Sequence, residues 1–368
     1  MPVFAAVEDE AAKIVGLFYD LQFDQAIASA KVLEKEHPDS PAGYFFESVA
    51  YYQRYLLEDP PRPETFKTFL ALSQMAFEKA VQFMPISPAV SHYYQGAALG
   101  FQARAFVAQR KYASAIPKAR QGAIHLKKAL ALDPSLEDAN LGLGMYYYFL
   151  DRVPIAAKPF AYLMIGMKGD REKGIALLER AAEKGRAARV EAKSILAAIY
   201  ASEREMRWNE AFSIYKELME NYPHNPRYRL KLIYVMQREG FWDKAAEVMD
   251  AEGPWIDKLD PLVRARAQAI ARYRTVENLL FAGRYSEAGA ALDRLESGSP
   301  SGLLRDWIDL RRGNYWDAVG QSQKAKAYYE KIKNKKAAGL AENFMKTAFP
   351  QGPRDVMPSR WPLASVPE

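Results

Sequence analysis

The same two-helix pattern returns along most of this sequence, and a chain built from such pairs has few ways to fold. In the clearest copy, 190–226, Ile195, Leu196, Ile199 and Tyr200 fall at helical spacing. After Trp208 a second amphipathic stretch runs through Ala211, Ile214, Tyr215, Leu218 and Met219. Asn221-Tyr222-Pro223 and Asn225-Pro226 stop it. Small Ala197 and Ala211 near large Tyr200 and Tyr215 suit a close helix crossing. Shorter copies turn at Gly240, Gly283 and Gly320. Upstream, Leu141–Tyr147 pairs with Arg171–Lys184, and Phe23–Glu36 closes a first pair at His37-Pro38. One such pair cannot bury its apolar face alone, so neighbours must stack into an all-α array.

Several copies share more than periodicity. Leu143-Gly144 with Tyr147, and Leu196-Ala197 with Tyr200, sit alike in their first helices; Ala211, Tyr215 and Pro223 mark a second helix and its stop, as do Gly320, Ala325 and Tyr329. The pattern resembles the tetratricopeptide (TPR) repeat, L-G-x2-Y followed by A-x3-F and a proline. The resemblance implies an all-α, right-handed superhelix (α-solenoid) of antiparallel helix pairs. The repeats are regular over 190–334 and divergent over 11–189, where insertions fall at 58–63 and 149–169. A flexible N-terminus (1–10), a capping helix (335–349) and a proline-rich tail (350–368) complete the layout.

The resemblance also implies a function. A TPR stack lines a concave groove with the first helix of each pair, and the groove binds a peptide or protein. The groove-facing positions here are Tyr93, Met145, Tyr148, Glu191, Arg227, Tyr234, Arg238, Tyr273, Glu277 and Asn314. Tyr, Met and Arg among them are residue types favoured at interfaces. The alternative places a small-molecule or lipid pocket at the 149–169 insertion, whose run 159–167, with Phe160, Leu163 and Met164, is the most apolar in the chain. The expected partner is a protein or peptide, not nucleic acid; peripheral membrane contact through the insertion is the remaining option.

Little points to chemistry. The sequence has no cysteine, which removes disulfides, thiolate metal sites and a cysteine nucleophile. It has no phosphate-binding glycine loop, no H-E-x-x-H and no G-x-S-x-G. The histidines, His37, His92, His125 and His224, are too far apart in sequence to share a helical metal motif, so neither metal nor cofactor is expected and the chain reads as a non-enzyme. A net charge of +6 is thinly spread, and basic clusters such as Arg264–Arg274 read as solvated helix faces. No apolar run reaches the ~18 residues of a membrane span. Val3-Phe4-Ala5 has the small-residue character of a signal cleavage site, from which an exported, periplasmic location is expected over a cytoplasmic one.

Overall fold

The computed structural model describes residues 2–58, 60–152, 168–249, 253–298 and 302–349, and within them every regular element is a helix. The chain divides into an N-terminal unit, Met1–Ser202, and a C-terminal unit, Glu203–Glu368. The first holds α1 (Pro2–Tyr19), α2 (Phe23–Glu36), α3 (Ala42–Tyr55), α4 (Pro63–Gln82), α5 (Pro88–Ala108), α6 (Tyr112–Leu132), α7 (Ala139–Asp151), α8 (Arg171–Lys184) and α9 (Arg189–Tyr200). The second holds α10 (Trp208–Asn221), α11 (Pro226–Arg238), α12 (Trp242–Met249), α13 (Pro254–Asp257), α14 (Pro261–Phe281), α15 (Tyr285–Ser297), α16 (Gly302–Ala318), α17 (Ser322–Tyr329) and α18 (Lys335–Lys346).

Consecutive helices pair within each unit: α1 with α2, α3 with α4, α5 with α6 and α7 with α8, then α11 with α12, α14 with α15 and α16 with α17. First helices also touch first helices of neighbouring pairs, α1 on α3, α3 on α5, α5 on α7, and likewise α11 on α14 and α14 on α16. This is a TPR-like stack. Gly144 permits a close crossing: a Cβ there would lie 2.8 Å from the Gly174 carbonyl, so α7 and α8 meet backbone to backbone.

A recurring turn joins the paired helices. Leu21, Arg110, Met206, Gly240, Gly283 and Gly320 all have positive φ, between 48° and 77°. Each lies two residues before a second helix. At five of them the following N–H reaches five residues back: Gln22 to the Leu17 carbonyl (2.8 Å), Lys111 to Phe106 (2.8 Å), Phe241 to Met236 (2.9 Å), Arg284 to Leu279 (2.8 Å) and Gln321 to Trp316 (2.7 Å). These bonds satisfy carbonyls left open at a helix end, with a left-handed residue at the break. Three of the six positions carry a side chain where glycine would be unstrained.

Some boundaries differ from the sequence reading. The N-terminus expected to be flexible over 1–10 is instead part of α1, helical from Pro2. The unit boundary falls after Ser202 rather than at 189/190, inside the copy that looks most regular in sequence. Pro117 lies inside α6, which continues through it. At the 58–63 insertion, buried Glu58 accepts the Arg62 N–H (3.0 Å) and the Thr65 hydroxyl (2.8 Å), fixing the start of α4. Asp59, most of the 149–169 insertion (including Phe160, Leu163 and Met164) and the tail 350–368 lie outside the described residues.

Candidate binding site

In the N-terminal unit the inner face is closed on itself. Asp138, just before α7, accepts the backbone N–H groups of Arg186 (2.7 Å), Ala187 (3.1 Å) and Ala188 (3.2 Å), which pins the start of α9. Glu191 on α9 then meets two other first helices, and a third is tied in through Gln53. Gln53 of α3 donates to its carboxylate (3.1 Å) and to the Tyr19 hydroxyl of α1 (3.1 Å), and Arg104 of α5 pairs with the same carboxylate. Helix α9 also touches α1. The sequence reading puts Glu191 in an open groove; the structure buries it at the junction of first helices.

The other groove positions of this unit do not join it. Tyr93 and Tyr148 are buried. Burial pushes the Tyr93 phenol well above its ordinary range, and Arg152 stands 6.0 Å over the Tyr148 ring. Met145 is half-buried. The tyrosine runs feed an aromatic core, with Tyr52 against Phe69 (5.1 Å between centroids) and Tyr94 against Phe45 (5.5 Å).

In the C-terminal unit five of the six groove positions do come together, as a buried polar spine. Glu277 of α14 is fully buried and accepts from Arg274 (2.5 Å), from the Tyr273 hydroxyl (2.9 Å) and, in two-pronged fashion, from Arg311 of α16 (2.6 and 3.0 Å). Arg311 continues to Asn314 (2.9 Å); Asn314 donates to the Tyr329 hydroxyl (2.9 Å), which donates to Asp317 (2.8 Å). Asp317 also takes the Phe349 N–H (3.2 Å). At the other end Arg274 stands 5.0 Å over Tyr234, Tyr234 meets Trp208 edge-on at 6.5 Å, and Arg238 stands 5.1 Å over Trp208. Arg227, half-buried, lies at the opposite end of α11 from Tyr234 and Arg238, where the Asn225 cap takes its N–H (3.2 Å).

The spine fixes protonation states. Burial pushes the Glu277 carboxyl upward, but the Arg274 and Arg311 charges outweigh it and hold Glu277 below its ordinary value. Burial raises the Tyr273 and Tyr329 phenols far above theirs, the latter helped by its bond to Asp317. An ionised carboxylate and two protonated phenols, all shut away from water, are not poised to exchange protons with a substrate. Tyr234, Tyr273, Glu277 and Asn314 are therefore interior residues rather than groove residues; the half-buried Arg238 reaches the surface.

Where the spine surfaces there is an apolar cleft of about 190 Å³, lined by Trp208, Phe212, Val235, Met236 and Phe241, with Asn209, Glu239 and Lys244 at its edge. It lies between α10 and the α11–α12 turn. The left-handed Gly240 throws the chain outward there, leaving Phe241 47% exposed, with Lys244 5.2 Å over its ring. Sequence reasoning takes Trp208 only as the start of a second helix and does not single out Phe241. The signal available is a large aromatic, Phe241, directly after the turn glycine Gly240, where Arg284 and Gln321 follow Gly283 and Gly320.

At the described edges of the 149–169 insertion a second cleft, about 420 Å³, is lined by Tyr147, Asp151, Lys168, Gly169, Asp170, Arg171, Glu172 and Lys173. Burial pushes the Tyr147 phenol up, yet bonds and charges from Lys127 and Lys173 bring it below its ordinary value. This rim is charged rather than apolar. Among the described residues no helix is long and apolar enough to cross a membrane.

The fold and its recurring turn thus define a TPR-like helical-repeat protein. No family model matches the sequence, and no curated protein matches it. Among solved structures it is similar to TTC0263, a thermophilic TPR protein of Thermus thermophilus, at 18% identity and a TM-score of 0.37, covering 62% of this chain and 99% of that one. It is also similar to the human IFIT1 dimer with m7Gppp-AAAA, at 12% identity and a TM-score of 0.42, covering 93% and 87%. The IFIT1 dimer with PPP-AAAA matches at the same identity and TM-score, covering 93% and 86%. At such identities and TM-scores, what those proteins bind stays with them.

Proposed function

We propose that this protein is a non-enzymatic interaction scaffold that holds a peptide segment of a protein partner in the Trp208–Phe241 cleft, by one bulky apolar side chain of that segment. The carrying observation is the solvent-open apolar cleft at the end of a sealed polar spine. Its floor is firm, because Val235 and Met236 are buried in α11 and Trp208 is braced by Arg238 and Tyr234. A rigid aromatic-lined recess is where interfaces concentrate binding energy. An apolar cleft with mixed charges at its edge suits a peptide better than a phosphate backbone, so nucleic acid is not proposed as the partner.

The test is peptide display on the immobilised full chain, followed by affinity measurement on variants. Phe241→Ala and Phe212→Ala are each expected to weaken the selected peptide at least about tenfold, the usual scale of an anchor-pocket residue. Tyr273→Phe should bind as the wild type does. Equal affinity across all three variants would reject the cleft.

A small-molecule site at the 149–169 insertion is the second reading; its charged described rim favours a polar ligand over a lipid. An exported, periplasmic location is proposed on Val3-Phe4-Ala5 alone. Recovery of the native protein in the cytoplasmic fraction of its host would reject it.

A further inference from the structure

Two histidines separated by 33 positions meet across the α5–α6 pair, with the Nδ1 atoms of His92 and His125 3.0 Å apart. The helices carrying them are in backbone contact: a Cβ on Gly96 would lie 2.9 Å from the Gly122 carbonyl, and one on Gly122 3.0 Å from that of Gly96. The rings are thus set by a rigid crossing, and Phe77 of α4 steadies His125 edge-on at 6.4 Å. Both rings are partly solvent-exposed.

We propose that His92 and His125 form a two-nitrogen chelate for a divalent transition metal, with water completing the coordination. Metal–imidazole bonds are about 2.0–2.1 Å, so two ring nitrogens on one ion lie roughly 2.9 Å apart at a right angle and roughly 3.3 Å apart at a tetrahedral angle. The observed separation falls in that range. Each ring must present an Nδ1 lone pair and carry its proton on Nε2. The single Nδ1 proton that now bridges the rings moves to an Nε2, and no net proton is released when both rings are already neutral. Neutrality is favoured: burial first, then Lys128, holds His92 below its ordinary value, and burial, His92 and Lys128 do the same for His125. Lys128, one turn beyond His125, is the opposing charge, and it weakens the site without blocking it. With nitrogen donors and open positions, the tightest ion is Cu(II), with Zn(II) following.

The experiment is calorimetric titration of Cu(II), and separately Zn(II), into the full chain, with electron paramagnetic resonance on the copper form. Wild type should show one copper site with nitrogen hyperfine structure. His92→Asn and His125→Asn keep an amide near Nδ1 and should each weaken copper at least about tenfold, the loss expected when a ligand set is broken. Lys128→Gln should tighten it. His37→Asn tests the competing trio Glu10, Glu36 and His37, whose ligand atoms lie within 4.8 Å of one another, and should leave the copper site intact. A copper signal without nitrogen coupling overturns the proposal on wild type alone, whatever the variants do. Undiminished affinity in both folded Asn variants, checked by circular dichroism, overturns it as well.

Discussion

Replacing Glu277 with leucine tests whether the inner face of the C-terminal unit is sealed. Arg274, Glu277 and Arg311 are each 0% exposed, and one carboxylate serves both guanidinium groups. Glu277→Leu takes from two buried guanidinium groups the carboxylate they share and deprives the Tyr273 hydroxyl of its acceptor. Removing one partner of such a buried set costs about 3–5 kcal/mol. With a urea slope of about 2 kcal/mol per molar, the unfolding midpoint of this unit should fall by roughly 2 M. The readout is selective, because all six tryptophans lie between 208 and 361, so tryptophan fluorescence follows this unit alone. The combined Arg274→Met, Glu277→Leu, Arg311→Met variant removes every charge together and should recover most of the loss. It would still lack the Arg311–Asn314 bond, worth about 1 kcal/mol. A loss below about 1 kcal/mol for Glu277→Leu would mean that water reaches the triad, and the sealed-spine reading would fail.

Other outcomes follow from the same geometry. Glu34 is pushed up to about 7, first by burial and then by its bond to and repulsion from the Glu47 carboxylate. A carboxyl raised in the folded state contributes its stability below about pH 4.5 and loses it as pH climbs towards 7. Glu34→Gln should therefore flatten the decline in stability of the N-terminal unit between about pH 5 and 8, by about 1 kcal/mol once solvent screening is allowed for, as read by urea titration with circular dichroism. Arg110, exposed with φ of 60°, occupies a turn position where Gly283 stands at 76° in a later copy. Arg110→Gly should stabilise by about 1 kcal/mol and Gly283→Ala should destabilise by about 1–2 kcal/mol, both measured by thermal unfolding.

Much of the architecture was legible because its signals are local. Phe23–Glu36, Arg171–Lys184 and the helix beginning at Trp208 are bounded by glycine, proline or aspartate signals acting over a few residues. The turns at Gly240, Gly283 and Gly320 were visible for the same reason. Their equivalents at Leu21, Arg110 and Met206 were not, since no glycine advertises the positive φ. The orientation of the first helices was not legible either. Arg274 and Glu277 sit three apart, a spacing that serves equally well on a solvated face or in a buried ion pair. What decides between them is Arg311, 34 positions beyond Glu277. The same limit hid the pairing of His92 with His125, and of Glu191 with Gln53, 138 positions away. Such contacts exist only once neighbouring pairs have stacked, and nothing in the local spacing encodes them.

On the proposed function, partners sit in the surface cleft at Trp208 and Phe241 and the inner polar spine stays closed to them. Its most direct test is the affinity of one display-selected peptide for Phe241→Ala set beside its affinity for Tyr273→Phe. The expected result is a loss of at least about tenfold in the first and none in the second. The reverse pattern, with Tyr273→Phe weakening the peptide and Phe241→Ala leaving it unchanged, would return the binding site to the inner face.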